Sequence, residues 1–195
     1  MTTTTSEADA DDWGVLSSLP GNPLMWVLIL SEILVFGALL AGFAGTRLID
    51  PAAHAQGQAA LDPILGGVNT LVLVTSGLFM ALAVRARAQD HGGGGLRPAR
   101  LWAAAAMVLG AVFLAVKAVE YADKAAMGIG METSGFFTLY YLTTGFHAAH
   151  VVMGLVVLAL VSWRCSLENL ETGAAFWHMV DLVWVLIYPV VYLIR

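Results

Sequence analysis

Five stretches of this chain are apolar over about the 20 residues that a helix needs to cross a hydrocarbon layer. They are Leu24–Ala44, Ile64–Val84, Leu101–Val119, Phe136–Val161 and Ala174–Ile194. The sequence is 59% hydrophobic and 12% charged, with a mean hydropathy of +0.79. A soluble domain runs nearer about 45–50% apolar and about 25% charged. The expected fold class is therefore all-α, an integral membrane bundle of five transmembrane helices filling residues 23–195 as one domain. Residues 1–22, with Glu7, Asp9, Asp11 and Asp12, read as an acidic, flexible N-terminal tail that supplies part of the net charge of −5. The tail lacks the basic segment and apolar run of a signal peptide, so the first span is expected to insert directly and stay. There is no basic stripe or aromatic–basic motif, which gives nucleic-acid binding no support.

Local signals mark the span ends. Asn22-Pro23 and Asp62-Pro63 each place a capping side chain before a proline at the first helical position, where its missing N–H costs nothing. The glycine run Gly92–Gly95 breaks the chain between the second and third spans. Arg85, Arg87, Arg97, Arg100 and Arg164 fall on one side of the bundle, and Arg47, Lys124 and Arg195 on the other. The richer side is expected to be cytoplasmic, which puts the N-terminus inside and the C-terminus outside. Gly37/Ala41 and Ala38/Gly42 have the spacing that lets helices approach closely, or they are apolar filler. Pro189 is expected to kink the last helix unless neighbours satisfy the freed carbonyl. The single Cys165 reads as a small loop residue and rules out an internal disulfide or a cysteine-held cluster.

Ionisable groups inside the spans carry the functional information, because a charge at membrane depth costs roughly 2.5–3.5 kcal/mol on insertion scales. With a rise of about 1.5 Å per residue, Glu32, His150 and Asp181 fall in one layer, and His178 lies one turn nearer the cytoplasm. His147 shares a helix face with His150, as His178 does with Asp181. The expectation is one interhelical cluster of Glu32, His150, His178 and Asp181. It could be a polar staple, a proton-handling group or a metal or haem site. Three embedded histidines are too few for a haem–copper centre within this chain. Near the outer end of the third span, Lys117 with Glu120, Tyr121 and Lys124 reads as an interfacial belt with a snorkelling lysine, or as a lipid or partner contact. Trp26, Trp102, Trp177 and Trp184 read as interface or packing aromatics.

Five motifs in order carry a resemblance. They are Ile29-Leu30-Ser31-Glu32, Asn69-Thr70-Leu71 through Thr75-Ser76-Gly77, and Glu120-Tyr121. Thr144-Gly145-Phe146-His147-Ala148-Ala149-His150 and Trp177-His178-Met179-Val180-Asp181-Leu182-Val183-Trp184 complete the set. The chain resembles the subunit III family of the haem–copper oxidases, the cytochrome c oxidase subunit 3 family. It lacks the first two of that family's usual seven helices, and its opening Leu19-Pro20-Gly21-Asn22-Pro23-Leu24-Met25-Trp26 is similar to the NorE-type branch associated with nitric oxide reductase.

The resemblance implies an accessory, non-catalytic subunit of a bacterial inner-membrane terminal oxidase or nitric oxide reductase. It implies no cofactor or metal in this chain, with haem and copper confined to the catalytic partner subunit. It also implies structural phospholipid, proximity to a proton-uptake entrance, and a match of Glu32 to the family's carbodiimide-reactive carboxylate. The other function classes are a free-standing small membrane factor and a haem-binding redox protein.

Overall fold

Residues 23–90 and 95–194 are described in a computed structural model, and among them the chain is helical without any strand. The acidic tail, Asn22, most of the glycine run and Arg195 lie outside the described residues. The helices are α1 (Pro23–Ile49), α2 (Pro51–Ala59), α3 (Pro63–Ala88), α4 (Leu96–Ala126), α5 (Gly135–Arg164) and α6 (Leu167–Tyr188), followed by a π-helical turn at Pro189–Leu193. Five of them are long and apolar enough to cross a membrane, as the hydropathy pattern predicts. The short α2 is not among the expected elements. It starts by the same device as α3: Asp50 caps the Ala53 amide at 3.0 Å ahead of Pro51, and Asp62 caps Ile64 and Leu65 at 2.9 and 3.0 Å ahead of Pro63.

The spans run longer than their apolar cores, and α6 begins seven residues before the expected Ala174 because Ser166 caps Asn169 and starts the helix early. Two of the arginines counted for topology are bonded to the end of α5. Arg87 Nε donates to the Cys165 carbonyl at 2.9 Å and Arg100 Nη2 to the Trp163 carbonyl at 2.9 Å. They satisfy carbonyls that the helix leaves open and complement its negative end. Cys165 is buried and adopts a left-handed conformation (φ 50°) as it closes α5.

The layering inverts that of a soluble protein: Leu34, Ile64, Leu71, Leu101 and Leu160 are exposed, while Asn69, Ser76, Lys117, Glu120 and His147 are buried. α6 is the most enclosed span and α1 the least. The Trp177 indole, fully buried, lies where α4 and α5 both carry glycine. A Cβ added at Gly110 or Gly154 would come within 2.7 Å of its ring. The close approaches to the indole therefore fall at Gly110 and Gly154. Gly37 and Gly42, expected as candidates, face open space, and a side chain there would meet nothing. Beyond Tyr188 the last helix widens into the π turn at Pro189, which cannot donate into an α-helical ladder. Gln58 of α2 reaches across to donate to the Val191 and Ile194 carbonyls, both at 3.1 Å. Lys124 ties the end of α2 through the Ala60 carbonyl.

Candidate functional site

The polar groups of the spans sort into two ion pairs on different helix junctions and one network at the core. α1 and α5 bring Glu32 and His150 together, with Nε2 of the imidazole 3.0 Å from Glu32 Oε2. The contact meets an ion-pair distance, but its angle leaves Oε2 without an aligned donor. His150 Nδ1 lies 2.8 Å from the Phe146 carbonyl, which can only accept, so Nδ1 carries a hydrogen. Nε2 then faces Oε2 at an ion-pair distance, which is a charged contact only when the ring is protonated. The Phe36 ring stands edge-on to both His147 and His150 and separates the pair from the core.

The second pair is on α6, where His178 Nδ1 lies 3.7 Å from Asp181 Oδ2. Asp181 is buried in the junction with α3, and Gly77 makes room for it, since a Cβ there would collide with Oδ2. Asp181 Oδ1 has no hydrogen-bond partner. His178 is 47% exposed, on the outward side of the seam. The expected four-residue cluster is thus two separate pairs, with no hydrogen bond or ion pair linking them among the described residues. The physical reason is rotational. Residues three apart on a helix are about 60° apart around the axis, so Asp181 turns inward while His178 stays at the edge.

The core network around Lys117 differs from the interfacial belt that the sequence leads one to expect. Lys117 does not snorkel to an interface: it is 2% exposed and donates to Glu120 Oε2 at 2.9 Å, to Tyr192 Oη at 3.0 Å and to Tyr140 Oη at 3.2 Å. Tyr140 and Tyr192 each donate to Glu120 Oε1 at 2.7 Å. The ammonium also faces the rings of Tyr121 and Trp184, at 4.9 and 5.5 Å from the centroids. Every charge in this set is opposed and every donor used, which suits a permanent tie between α4, α5 and the C-terminal turn. Two signals pointed to it. Lys117 and Glu120 are i, i+3 on one helix face, and Lys117 sits roughly 13 Å inside α4, beyond the reach of its own side chain to the helix end.

The remaining motif residues are structural neighbours of these groups. Asn69 donates to the Phe113 carbonyl at 3.2 Å. Trp177 Nε1 donates to Ser76 Oγ at 3.1 Å, and Ser76 passes a hydrogen on to the Ala106 carbonyl at 2.7 Å. Trp184 Nε1 donates to Thr70 at 3.0 Å. Tyr121 and Thr144 share a hydrogen bond of 2.6 Å. His147 is fully buried between Phe36, Phe113 and Trp184, and neither ring nitrogen has a partner. Among the described residues no three His, Cys, Asp or Glu side chains gather closely enough to hold a metal ion.

Comparison with known proteins places the chain in a family. The family whose model matches is Cytochrome c oxidase subunit III, over residues 21–194. The chain is 29% identical over 177 residues to the cytochrome c oxidase subunit 3 of Synechocystis sp., covering 86% of this chain and 73% of that one. It is 28% identical over 180 residues to the cytochrome bo(3) ubiquinol oxidase subunit 3 of Pseudomonas putida, covering 87% and 83%. It is 27% identical over 190 residues to the heme–copper oxidase subunit I+III of Aeropyrum pernix, covering 87% of this chain and 22% of that one. Since the match takes in all five spans and every intramembrane pair described above, the chain belongs to the cytochrome c oxidase subunit III family.

Proposed function

We propose that this chain is an accessory, non-catalytic subunit of a haem–copper terminal oxidase, seated in a bacterial inner membrane against the subunit that holds the haem and copper. The observation that carries the reading is the family match over 21–194, the whole membrane part of the chain. The Aeropyrum relative supports the choice of partner, because its name joins a subunit I and a subunit III in one chain. The relatives named above are oxidase subunits, which favours an oxygen-reducing partner over a nitric oxide reductase.

Within that role, the buried network and the tryptophan anchors hold a rigid apolar wall, and the Glu32–His150 pair adds one exchangeable proton near the lipid-facing surface. An imidazole 3.0 Å from a carboxylate places two proton-accepting groups side by side, which supports a proton-handling role for the pair. The arginine-rich side is assigned to the cytoplasm by the positive-inside rule, with phospholipid lining the outer faces of α1 and α3.

Purification in a mild detergent tests the assignment: a haem-bearing subunit with a Soret band is expected to accompany the chain. Recovery of the chain alone overturns it. Glu32→Gln tests the proton role in the assembled complex. Faster inactivation during turnover or slower proton uptake supports it, and unchanged values leave Glu32 a helix tie only.

A further inference from the structure

The sequence contains five tyrosines, and all five meet in one line of rings at the end of the bundle that holds α2. Between centroids, Tyr141 lies 5.1 Å from Tyr140, Tyr140 lies 6.4 Å from Tyr192, and Tyr192 lies 5.6 Å from Tyr188. Tyr121 branches from the same line, 5.1 Å from Tyr141 and 6.1 Å from Tyr140. The middle rings, Tyr140 and Tyr192, are buried, whereas Tyr141 and Tyr188 at the two ends are half-buried. Each end hydroxyl donates to a backbone carbonyl at 3.0 Å, Tyr141 to Ile129 in the α4–α5 loop and Tyr188 to Pro63 at the start of α3.

Packing alone is served by phenylalanine, since a buried tyrosine brings a hydroxyl that needs a partner. Here the two inner hydroxyls, one from α5 and one from the turn after Pro189, donate to the same atom, Glu120 Oε1, at 2.7 Å each. A phenol that loses an electron becomes a strong acid, and it is oxidised readily only where a neighbour takes its proton. A backbone carbonyl is too weak a base for this, but a carboxylate is not. With one oxygen between two phenols, proton and electron are handed on together. Tyr192 gives its proton to Oε1 as Oε1 returns one to Tyr140, and the electron passes from the Tyr192 ring to the Tyr140 ring. A Tyr140 phenoxyl radical and a Tyr192 phenol thereby become a Tyr140 phenol and a Tyr192 phenoxyl radical, with no net charge moved. While the vacancy is in the middle, a protonated Glu120 leaves the Lys117 ammonium without its counter-charge, which burial penalises. The vacancy therefore passes through the inner pair and does not rest there.

We propose that the tyrosine line is a one-electron conduit across this end of the bundle. A strong one-electron oxidant at the Tyr141 end, of the class of oxygen-centred radicals, takes an electron there while water takes the phenolic proton. The vacancy travels through Tyr140 and Tyr192 to Tyr188, where a soluble one-electron reductant fills it and water returns a proton. The conduit lies within this one chain and needs no group from a partner subunit.

The test uses the full chain at one copy per lipid nanodisc. Met131 is exposed on the loop that holds the Tyr141 hydroxyl, and Met131→Cys gives an attachment point for a ruthenium bipyridyl label, the native Cys165 being buried. A flash in the presence of a cobalt(III) electron acceptor generates the tethered ruthenium(III) oxidant. A nitroso spin trap marks the tyrosyl radicals, and peptide mass mapping locates the adducts. Adducts are expected at Tyr141 and at Tyr188. Tyr140→Phe and Tyr192→Phe keep the rings but remove the oxidisable phenols, and each is expected to lower labelling of Tyr188 at least tenfold while Tyr141 is labelled as before. Glu120→Gln can still accept from both hydroxyls but cannot take the proton, and the same loss is expected. Labelling of Tyr141 alone in the labelled parent chain overturns the proposal, as does undiminished labelling of Tyr188 in either phenylalanine variant. If Glu120→Gln does not fold, the phenylalanine variants decide, because in each of them Glu120 keeps Lys117 and one tyrosine.

Discussion

Glu120→Gln removes one charge from a site that water does not reach. Lys117 and Glu120 are 2% and 4% exposed, with Nζ 2.9 Å from Oε2. At that separation the gross attraction is roughly 6 kcal/mol for an effective dielectric of about 20. Desolvation cancels much of it in the intact pair, but deleting one partner strands the other, which typically costs about 3–5 kcal/mol. The amide of the variant can still accept from Tyr140 and Tyr192, so the change isolates the charge rather than the whole network. Lys117→Met strands the carboxylate in the same way. The double variant removes both charges, and its loss is expected to fall short of the sum of the singles by about 3 kcal/mol. The assay is unfolding of the purified chain in mixed micelles for the wild type, both singles and the double. For a chain of this length each kcal/mol shifts the midpoint by about 2–4 °C, so the singles should melt about 6–20 °C lower. Singles within about 1 kcal/mol of wild type, with coupling below about 0.5 kcal/mol, would refute the reasoning, because the lysine would then be reaching water.

Gly154→Ala puts a methyl group 2.7 Å from the Trp177 ring, and a loss of about 1–3 kcal/mol is expected from overpacking. Trp177→Phe in that background should recover part of it, and no recovery means the indole is not the obstacle. Gln58→Leu leaves the Val191 and Ile194 carbonyls without their donor, so amide exchange in the segment after Pro189 should accelerate; unchanged exchange rules out the clasp. His54 on α2 lies outside the spans, and burial first, then the Arg47 charge, holds its pKa below the ordinary 6.5. The unfolded chain therefore binds the proton first, and stability present above that value is lost as pH falls through it towards the lower folded pKa. Melting temperature should drop between pH 7 and 5, and His54→Phe, a ring between Phe43 and Phe136, should remove that component; an equal drop in the variant contradicts it.

What the sequence revealed depended on whether a signal was local. The five spans were legible because each carries its own run of apolar residues, and the pairing of His178 with Asp181 followed from their spacing on one helix. The meeting of Glu32 with His150 was readable from matched depth, since two antiparallel spans share a common membrane frame. Azimuth was not readable. The apolar residues of a membrane helix surround it on all sides, so no stripe tells inside from outside. For that reason depth and spacing alone place His178 in an interior cluster and offer Gly37 and Gly42 as contact points, but do not single out Gly110 and Gly154. α2 escaped because it is short and weakly apolar, although Asp50-Pro51 repeats the punctuation of Asp62-Pro63. Tyr140 and Tyr192 could not be joined to Glu120 from spacing, since they are brought there by helices far apart in the chain.

The central place of α6 sets an order of events in biogenesis. It leaves the ribosome after the four spans it packs against, so those helices must wait in the membrane around a missing axis. Until Trp177 enters between Gly110 and Gly154, Ser76 lacks the indole N–H that bonds it in the finished bundle. Glu120 likewise lacks Tyr192 until the turn after Pro189 has arrived. The half-made protein therefore holds an open polar slot that closes only when α6 and the turn after Pro189 arrive.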